Sequence, residues 1–439
     1  MSRRIVLVDL PWSRPKDPPM SLGHASLLAT LRSRTSAEVR SVVVPFNEAP
    51  SVSEIADRVM AETAGANDAD VAMGVYVWSD RTVGDVAIEL RKRGHAGRII
   101  LGGPQITYAS AGVDRLYPQA NCFVRGYGES ALCHLVEHPY EARVQGVHFA
   151  GASDRCEIAF QDPDLLVSPW LSGTIPVLPG SFIRWETQRG CRYACSFCQH
   201  RHPGRRPLRY DFALERLLAE VDRFCSAGVA DIAIVDPIFH ANPHAEALLA
   251  QFAENHFRGR LSVQCRAETT NERFLDRASH LDVRLEFGLQ TIHHHESRAV
   301  RRANDVRKVD RTLRAVRARE ILHEVSLIYG LPEQTLSSFI RSVAWCLERQ
   351  VPVVKAFPLM LLRGTALDAE RQRWGLVESD EIISTVVQSS TFDRQHVAAM
   401  DRIARALQET EGRHPQVADL LALADVNGDA ATSAGEEAA

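Results

Sequence analysis

Three thiols, Cys191, Cys195 and Cys198, lie within eight residues in the stretch Arg189-Gly190-Cys191-Arg192-Tyr193-Ala194-Cys195-Ser196-Phe197-Cys198. Soft thiolates at a spacing of three and then two intervening residues can wrap one face of an iron–sulfur cluster. Three local ligands on a [4Fe-4S] cube leave one iron without a cysteine. An open coordination position of that kind is what a cofactor or substrate needs if the metal is to activate it. The spacing also admits zinc, with His200 or His202 completing a Cys3His tetrahedron, although the cluster fits it better. The other six cysteines (Cys122, Cys133, Cys156, Cys225, Cys265 and Cys346) are scattered and read as small packing residues.

The elements that must position this loop show in the alternation of apolar runs with helical patterns. Over the first ~140 residues the runs Ile5–Leu10, Val39–Phe46, Val71–Val77, Ile99–Leu101 and Cys122–Val124 alternate with helical stretches such as His24–Arg34 and Val83–Arg93. Buried runs separated by helices predict a parallel, doubly wound sheet. Gly102-Gly103-Pro104 and Gly126-x-Gly128 close the fourth and fifth runs. Glycines there let backbone approach a ligand or simply make tight turns, and the pattern admits both. From Ser181 a second series has six runs: Phe182–Trp185, Ile232–Val235, Leu261–Val263, Leu285–Leu289, Val325–Leu331 and Val353–Phe357. Six β/α units predict a partial TIM-like (β/α)6 barrel with its chemistry at the strand C-termini, and the cysteine loop follows the first of them. The α/β chain is thus expected to comprise a Rossmann-like domain at 1–140 and a proline-containing irregular linker at 141–180. The barrel would cover 181–372, a helical region 373–424, and a disordered tail 425–439.

Composition narrows the partners. The 439 residues carry 51 Lys+Arg against 55 Asp+Glu, a net charge of -4, so no basic face for nucleic acid is advertised. No run of ~18 apolar residues offers a membrane span, and Ile5–Leu10 is too short for a secretory core. These features predict a cytoplasmic protein with reduced cysteines and a small-molecule substrate.

With its aromatic residue before the last cysteine, the CxxxCxxC loop after the first barrel strand resembles the radical S-adenosylmethionine (radical SAM) superfamily. The resemblance covers nearly the whole chain, the first ~140 residues looking like the cobalamin-binding-type domain of one large subgroup. Trp185-Glu186-Thr187-Gln188-Arg189-Gly190-Cys191 is similar to that subgroup's approach to the cluster. So are Asp236-Pro237-x-Phe239, Gly288-Leu289-Gln290-Thr291, Tyr329-Gly330-Leu331-Pro332 and Arg363-Gly364-Thr365 after later strands. The resemblance implies that Cys191, Cys195 and Cys198 hold three irons while SAM chelates the fourth. It also implies that reductive cleavage of SAM yields a 5′-deoxyadenosyl radical able to take hydrogen from an unactivated carbon. Electrons would come from flavodoxin, ferredoxin or a dedicated reductase.

On the same resemblance Phe197 packs on the adenine, Arg266 and Gln290 contact SAM, and Gly330 brings backbone to the adenine. Glu268 and Pro332 lie close to these positions. Asp236 reads equally as pocket lining and as a loop organiser. His293-His294-His295 is expected to be a solvated helix start, because consecutive helical residues point apart. The arginine-rich segment 201–209 reads as a solvated loop or an anion site. No histidine has an aspartate two residues earlier, which excludes cobalamin held by a histidine of an Asp-x-His-x-x-Gly motif. Gly102, Gly103, Gly126 and Gly128 remain candidate cobalamin contacts, with Tyr76 to Asp80 near the cobalt face. Two readings stand: the domain binds cobalamin, or it keeps the fold without the cofactor. No general acid or base is identifiable. The overall pattern resembles the aminoglycoside diol dehydratases of antibiotic biosynthesis. The expectation is therefore radical dehydration or deoxygenation of an amino sugar, with cobalamin-dependent C-methylation as the alternative.

Overall fold

The computed structural model describes residues 3–66, 68–200 and 209–426. They fall into two units. The first holds the described residues up to 185 and those of 209–231, and the second holds 186–200 and those from 232 onward.

The first unit begins β1 (Arg4–Asp9), α1 (Leu22–Arg34), β2 (Glu38–Val43), α2 (Val52–Thr63), β3 (Asp70–Gly74) and α3 (Asp80–Lys92). It continues β4 (Ile99–Gly102), α4 (Pro104–Thr107), β5 (Cys122–Val124), α5 (Glu129–Glu137) and β6 (Val147–Phe149). The sheet order is β2-β1-β3-β4-β5-β6, with β1 to β5 parallel and β6 antiparallel to β5. Both faces are covered, as the near-continuous apolar strands require. Ile55, Val59, Val83, Val86 and Leu90 of α2 and α3 pack with Val71 and Met73 on one face, while Leu28, Leu31, Leu132 and Leu135 of α1 and α5 pack with Ile5 and Leu7 on the other. Burial of each such side chain contributes roughly 1.5–3 kcal/mol. Ser21 caps α1, and a Ser51–Glu54 capping box starts α2. β6 lies inside the segment that reads as an irregular linker. Three residues carry no periodicity, and this edge strand exists because β5 offers it free backbone groups.

The chain continues through β7 (Phe182–Trp185), β8 (Gln188–Gly190), β9 (Arg209–Asp211), α6 (Leu214–Ala227), β10 (Asp231–Ile234), α7 (Ala245–Glu254), β11 (Arg260–Cys265) and α8 (Glu272–Ala278). Then come β12 (Asp282–Gln290), α9 (His294–Ala299), α10 (Val306–Ala318), β13 (Leu322–Tyr329), α11 (Leu336–Glu348) and β14 (Val353–Pro358). Each of the six predicted runs is a strand. β10 to β14 stand side by side in chain order, with β11 to β14 parallel. On β12 one face, Val283, Leu285, Phe287 and Leu289, is buried, and the alternate residues are less so. The predicted α/β architecture of two parallel-sheet regions is the observed one.

The end of the chain adds α12 (Ala366–Ala369), α13 (Arg371–Trp374), β15 (Val377–Glu378), β16 (Val386–Gln388), α14 (Arg394–Glu409) and α15 (Val417–Leu423). The antiparallel β15–β16 pair is an addition to the helices that the sequence pattern predicts. The tail expected to be disordered lies, from 427 on, outside the described residues, as do 201–208 of the arginine-rich segment.

Two glycines at the strand ends, Gly103 and Gly126, are sterically obligatory. Gly103 has φ +92°, and a Cβ there would sit 2.9 Å from the Val75 carbonyl oxygen. Gly103→Ala therefore costs about 1–3 kcal/mol, a lower urea midpoint at unchanged m value being the expected outcome.

Candidate functional site

The cysteine loop hangs from a buried polar knot at its entrance. Asp236, which is 1% exposed, follows β10. It accepts hydrogen bonds from the Thr187 amide at 2.8 Å and the Gln188 amide at 3.3 Å, and from the Thr187 hydroxyl. The Asn242 side-chain amide donates to the Thr187 hydroxyl oxygen at 2.8 Å, and the Gln188 side-chain amide donates to the Ile238 carbonyl at 3.0 Å. These bonds fix Thr187 and Gln188, which lead into the loop at Cys191. Burial raises the Asp236 carboxyl to about 7, against the downward pull of the Thr187 and Gln188 donors.

Backbone bonds hold the loop itself. The Ser196 amide donates to the Val300 carbonyl, and the Ser196 carbonyl accepts from the Leu367 amide, each at 2.9 Å. The Gln199 side-chain amide donates to the Arg363 carbonyl at 2.9 Å. The segments that begin at Gly288 and Arg363, far apart in sequence, thus meet the cysteines. Cys195 is buried, while Cys191 and Cys198 are half-buried. The Tyr193 amide faces the Cys191 sulfur and the His200 amide faces the Cys198 sulfur, each at 3.5 Å. Burial pushes the Cys198 thiol up to about 11, and the proximity of Cys195 and Cys191 pushes the same way. Among the described residues no three His, Cys, Asp or Glu side chains converge on a point that would hold one metal ion. A cluster instead asks each thiolate to meet a different iron across a shared space. Three neighbouring thiols with amides and a cation beside them fit that group.

The cation is Arg302, a residue that sequence reasoning misses. Its guanidinium is 8% exposed and donates to the Cys195 sulfur at 3.8 Å, to the Asn304 side chain at 3.1 Å and to the Gly288 carbonyl. In sequence it is half of an arginine pair between two helices and reads as solvated, since burial of a loop arginine leaves no periodic signal. Gln334 is likewise missed. It is fully buried and its side chain ties the Gly330 amide at 2.7 Å to the Ile328 carbonyl at 3.1 Å.

The predicted SAM contacts have differing commitments, and among them Arg266 reaches the loop. Arg266 stacks its guanidinium 4.0 Å from the centre of the Tyr193 ring, donates to the Ala303 carbonyl at 2.7 Å and pairs with Glu268 at 3.3 Å. Gln290 ends β12 at a register shift, with φ +70°. Its amide nitrogen lies 2.7 Å from where a Cβ on Gly288 would be, so Gly288 makes room for it. Gly330 sits at φ +86° after β13. Phe197 is half-buried between the second and third cysteines. Asp236 makes the bonds of a loop organiser described above. His294 and His295 are exposed on α9 and His293 binds the Ser338 carbonyl at 3.0 Å, which is the solvated start that the sequence predicts.

In the first unit the strand order reverses between β1 and β3, where open α/β sheets bind ligands. Asp9 there accepts from the Ser21 amide at 2.8 Å and hydroxyl at 3.0 Å. Tyr76 stacks on Trp78 with ring centres 4.8 Å apart, and the Trp78 indole donates to the Leu10 carbonyl at 2.9 Å. Gly103 and Gly126 occupy left-handed backbone at φ +92° and +84°. Gly128 caps α5 at φ -89° and Gly102 has no close contact, so neither is sterically required.

Residues 185–346 match the Radical SAM superfamily. The chain carries a radical SAM domain. Its fold is that of cobalamin-dependent radical SAM enzymes. It is similar to the methyltransferase TsrM of Kitasatospora setae, solved with cobalamin and a [4Fe-4S] cluster, at TM-score 0.69 and 18% identity over 87% of this chain and 78% of that one. It is also similar to OxsB, solved with aqua-cobalamin and S-adenosylmethionine, at TM-score 0.68 and 13% identity over 93% and 67%. In sequence it is 28% identical over 306 residues to the cobalamin-dependent radical SAM methyltransferase TokK of Streptomyces tokunonensis, covering 63% of this chain and 44% of that protein. It is 29% identical over 207 residues to the 2-(S-pantetheinyl)-carbapenam-3-carboxylate methyltransferase of Streptantibioticus cattleyicolor, covering 43% and 30%. The matches thus span less than half the length of these curated relatives. Both are methyltransferases, so the expectation of dehydration or deoxygenation finds no support and the methylation alternative fits better. No described helix is long and apolar enough to cross a membrane.

The knot makes a pH prediction. The Asp236 carboxyl is raised in the fold, so its favourable contribution is complete below about pH 4 and is lost as pH rises through about 7. The urea stability of the wild type relative to Asp236→Asn is expected to fall between about pH 4 and 7 and to level off above. Asp236→Ala strands three buried donors and is expected to lose about 3 kcal/mol or more.

Proposed function

We propose that this chain is a cobalamin-dependent radical SAM C-methyltransferase acting on a small, polar natural product of the antibiotic type. The observation that carries the reading is the alignment with TokK over 306 residues, combined with three thiols gathered on a loop beside a buried guanidinium. The cofactors it implies are a [4Fe-4S] cluster on Cys191, Cys195 and Cys198, S-adenosylmethionine, and cobalamin at the strand ends of the first unit. Bound there, these groups would supply reductive cleavage of a sulfonium C–S bond, radical chemistry at carbon and methyl transfer.

The chain's own residues bind, orient and exclude water. Asp236 and Asn242 hold the loop entrance, the Ser196 backbone bonds fix the middle of the loop, and the Arg302 guanidinium offsets negative charge at Cys195. Tyr193 and Arg266 form one wall beside the first cysteine. Phe197, Gln290 and Gly330 are the proposed SAM contacts. In the first unit Gly102, Gly103, Gly126 and Gly128 project no side chain at the edge where cobalamin is proposed to lie, with the Tyr76–Trp78 stack close by. A small reductant such as flavodoxin, ferredoxin or a dedicated reductase in the cytoplasm is the proposed electron source.

Anaerobic reconstitution followed by product analysis tests the reading. With reductant, SAM, cobalamin and a panel of carbapenam carboxylates and amino sugars, the expected outcome is S-adenosylhomocysteine together with a product one methylene heavier. Cys195→Ala is expected to lose both cluster absorbance and product. Formation of 5′-deoxyadenosine with a dehydrated product, indifferent to cobalamin, would overturn methylation.

A further inference from the structure

The guanidinium of Arg302 is a buried charge that meets no carboxylate. The residue is 8% exposed, and each of its three nitrogens is engaged. Nε donates to the Asn304 side-chain oxygen at 3.1 Å, one terminal nitrogen donates to the Gly288 carbonyl, and the other donates to the Cys195 sulfur at 3.8 Å. Glu268, an acid whose charge it feels, is paired with Arg266 at 3.3 Å. Arg302 thus holds a full positive charge against two neutral oxygens and a thiol. A buried ion of this kind is costly unless an anion offsets it, so the arrangement is complete only when negative charge gathers on the sulfur side.

The end of β12 fixes the direction of that charge. Asn304, the acceptor for Nε, is itself held, because its side-chain amide donates to the Leu289 carbonyl at 2.7 Å and the Thr291 carbonyl at 2.9 Å. Two of the three nitrogens are therefore tied to one strand end while the third faces the thiol loop. The Ser196 amide, bonded to the Val300 carbonyl at 2.9 Å, holds the loop against the same segment. The charge also bears on the other two thiols: burial pushes Cys191 and Cys198 up, and Arg302 pulls both down. A planar guanidinium anchored in this way is pre-organised and does not swing toward water.

We infer that Arg302 sets the reduction potential of the cluster on the three thiols, its fixed positive charge favouring the state that carries one more electron. Reduction takes one electron from an external low-potential reductant, which is oxidised by one electron. No bond forms or breaks and no proton moves, so the cost is that of adding one negative charge beside buried Cys195. Net charge and hydrogen bonds to the sulfurs are among the properties that set such potentials, and Arg302 supplies both. It acts through the cluster and touches no substrate in this role. The inference rests on the cluster reading of the thiol loop and is independent of which molecule is methylated.

Redox titration of the reconstituted full chain without SAM, read by electron paramagnetic resonance of the reduced cluster, tests it. At the potential that half-reduces the wild type, Arg302→Gln is expected to lower the ratio of reduced to oxidised cluster about tenfold, which is about 59 mV for one electron. Arg302→Lys keeps the charge and is expected to recover most of that loss, a split that a purely structural strut would not give. Asn304→Asp leaves Arg302 in place but sets a carboxylate against its Nε, and is expected to lower the ratio in the same direction. It carries the test if the Arg302→Gln chain takes up no cluster. Leaving SAM out separates a charge that acts on the cluster from one that serves only the SAM carboxylate. Wild-type ratios in the cluster-loaded Arg302→Gln and Asn304→Asp chains would overturn the inference, and so would an Arg302→Lys ratio as low as that of Arg302→Gln. A wild type that takes up no cluster would overturn the cluster reading and this inference with it.

Discussion

Everything at the thiol loop depends on a carboxylate taken out of water. Asp236 gathers three donors from Thr187 and Gln188, and those two residues lead straight into the first cysteine. A buried carboxyl with its donors in place is directional in a way that apolar packing is not. Removing one partner leaves the others unsatisfied, so the arrangement is held as a unit. Asn242 and the Gln188 side chain extend the same network to the loop after β10. The cysteines therefore hang from the ends of strands rather than from a free loop.

The second charged contact works from the opposite direction. Arg302 comes from the segment between α9 and α10 and reaches both the Cys195 sulfur and the carbonyl of Gly288. One guanidinium thus ties a candidate ligand to the strand that ends in Gln290. The geometry of Gln290 depends on this neighbourhood too, because its left-handed backbone and the missing side chain of Gly288 occur together. Strain of this kind persists only where surrounding structure fixes it, and it gathers at functional sites. The first unit has a quieter counterpart in Gly103 and Gly126, whose positive φ values shape the strand ends.

Much of this was legible in the chain. The six runs of the second series, the doubly wound first series and the cysteine spacing all rest on local periodicity, which reports burial directly. The candidate site was legible only where residues are close in sequence or follow a strand, as with Asp236, Arg266, Gln290 and Gly330. Arg302, Asn242 and Gln334 were not, because a polar residue in a loop looks the same whether it faces solvent or a buried partner. β6 and the β15–β16 pair were missed for a related reason, since two or three residues carry no period and the partner strand decides their state. The choice between dehydration and methylation had no residue to mark it, and similarity to known methyltransferases favours the second.

By itself the sequence determined the thiol triad and the α/β architecture, because each is a matter of residue type and spacing along the chain. The tertiary structure alone decided which donors Asp236 gathers, which glycines are sterically required, and which arginines are buried. Those outcomes depend on atoms that meet across dozens of residues. Desolvation, not composition, sets whether a charge there organises the backbone or stands beside a thiol.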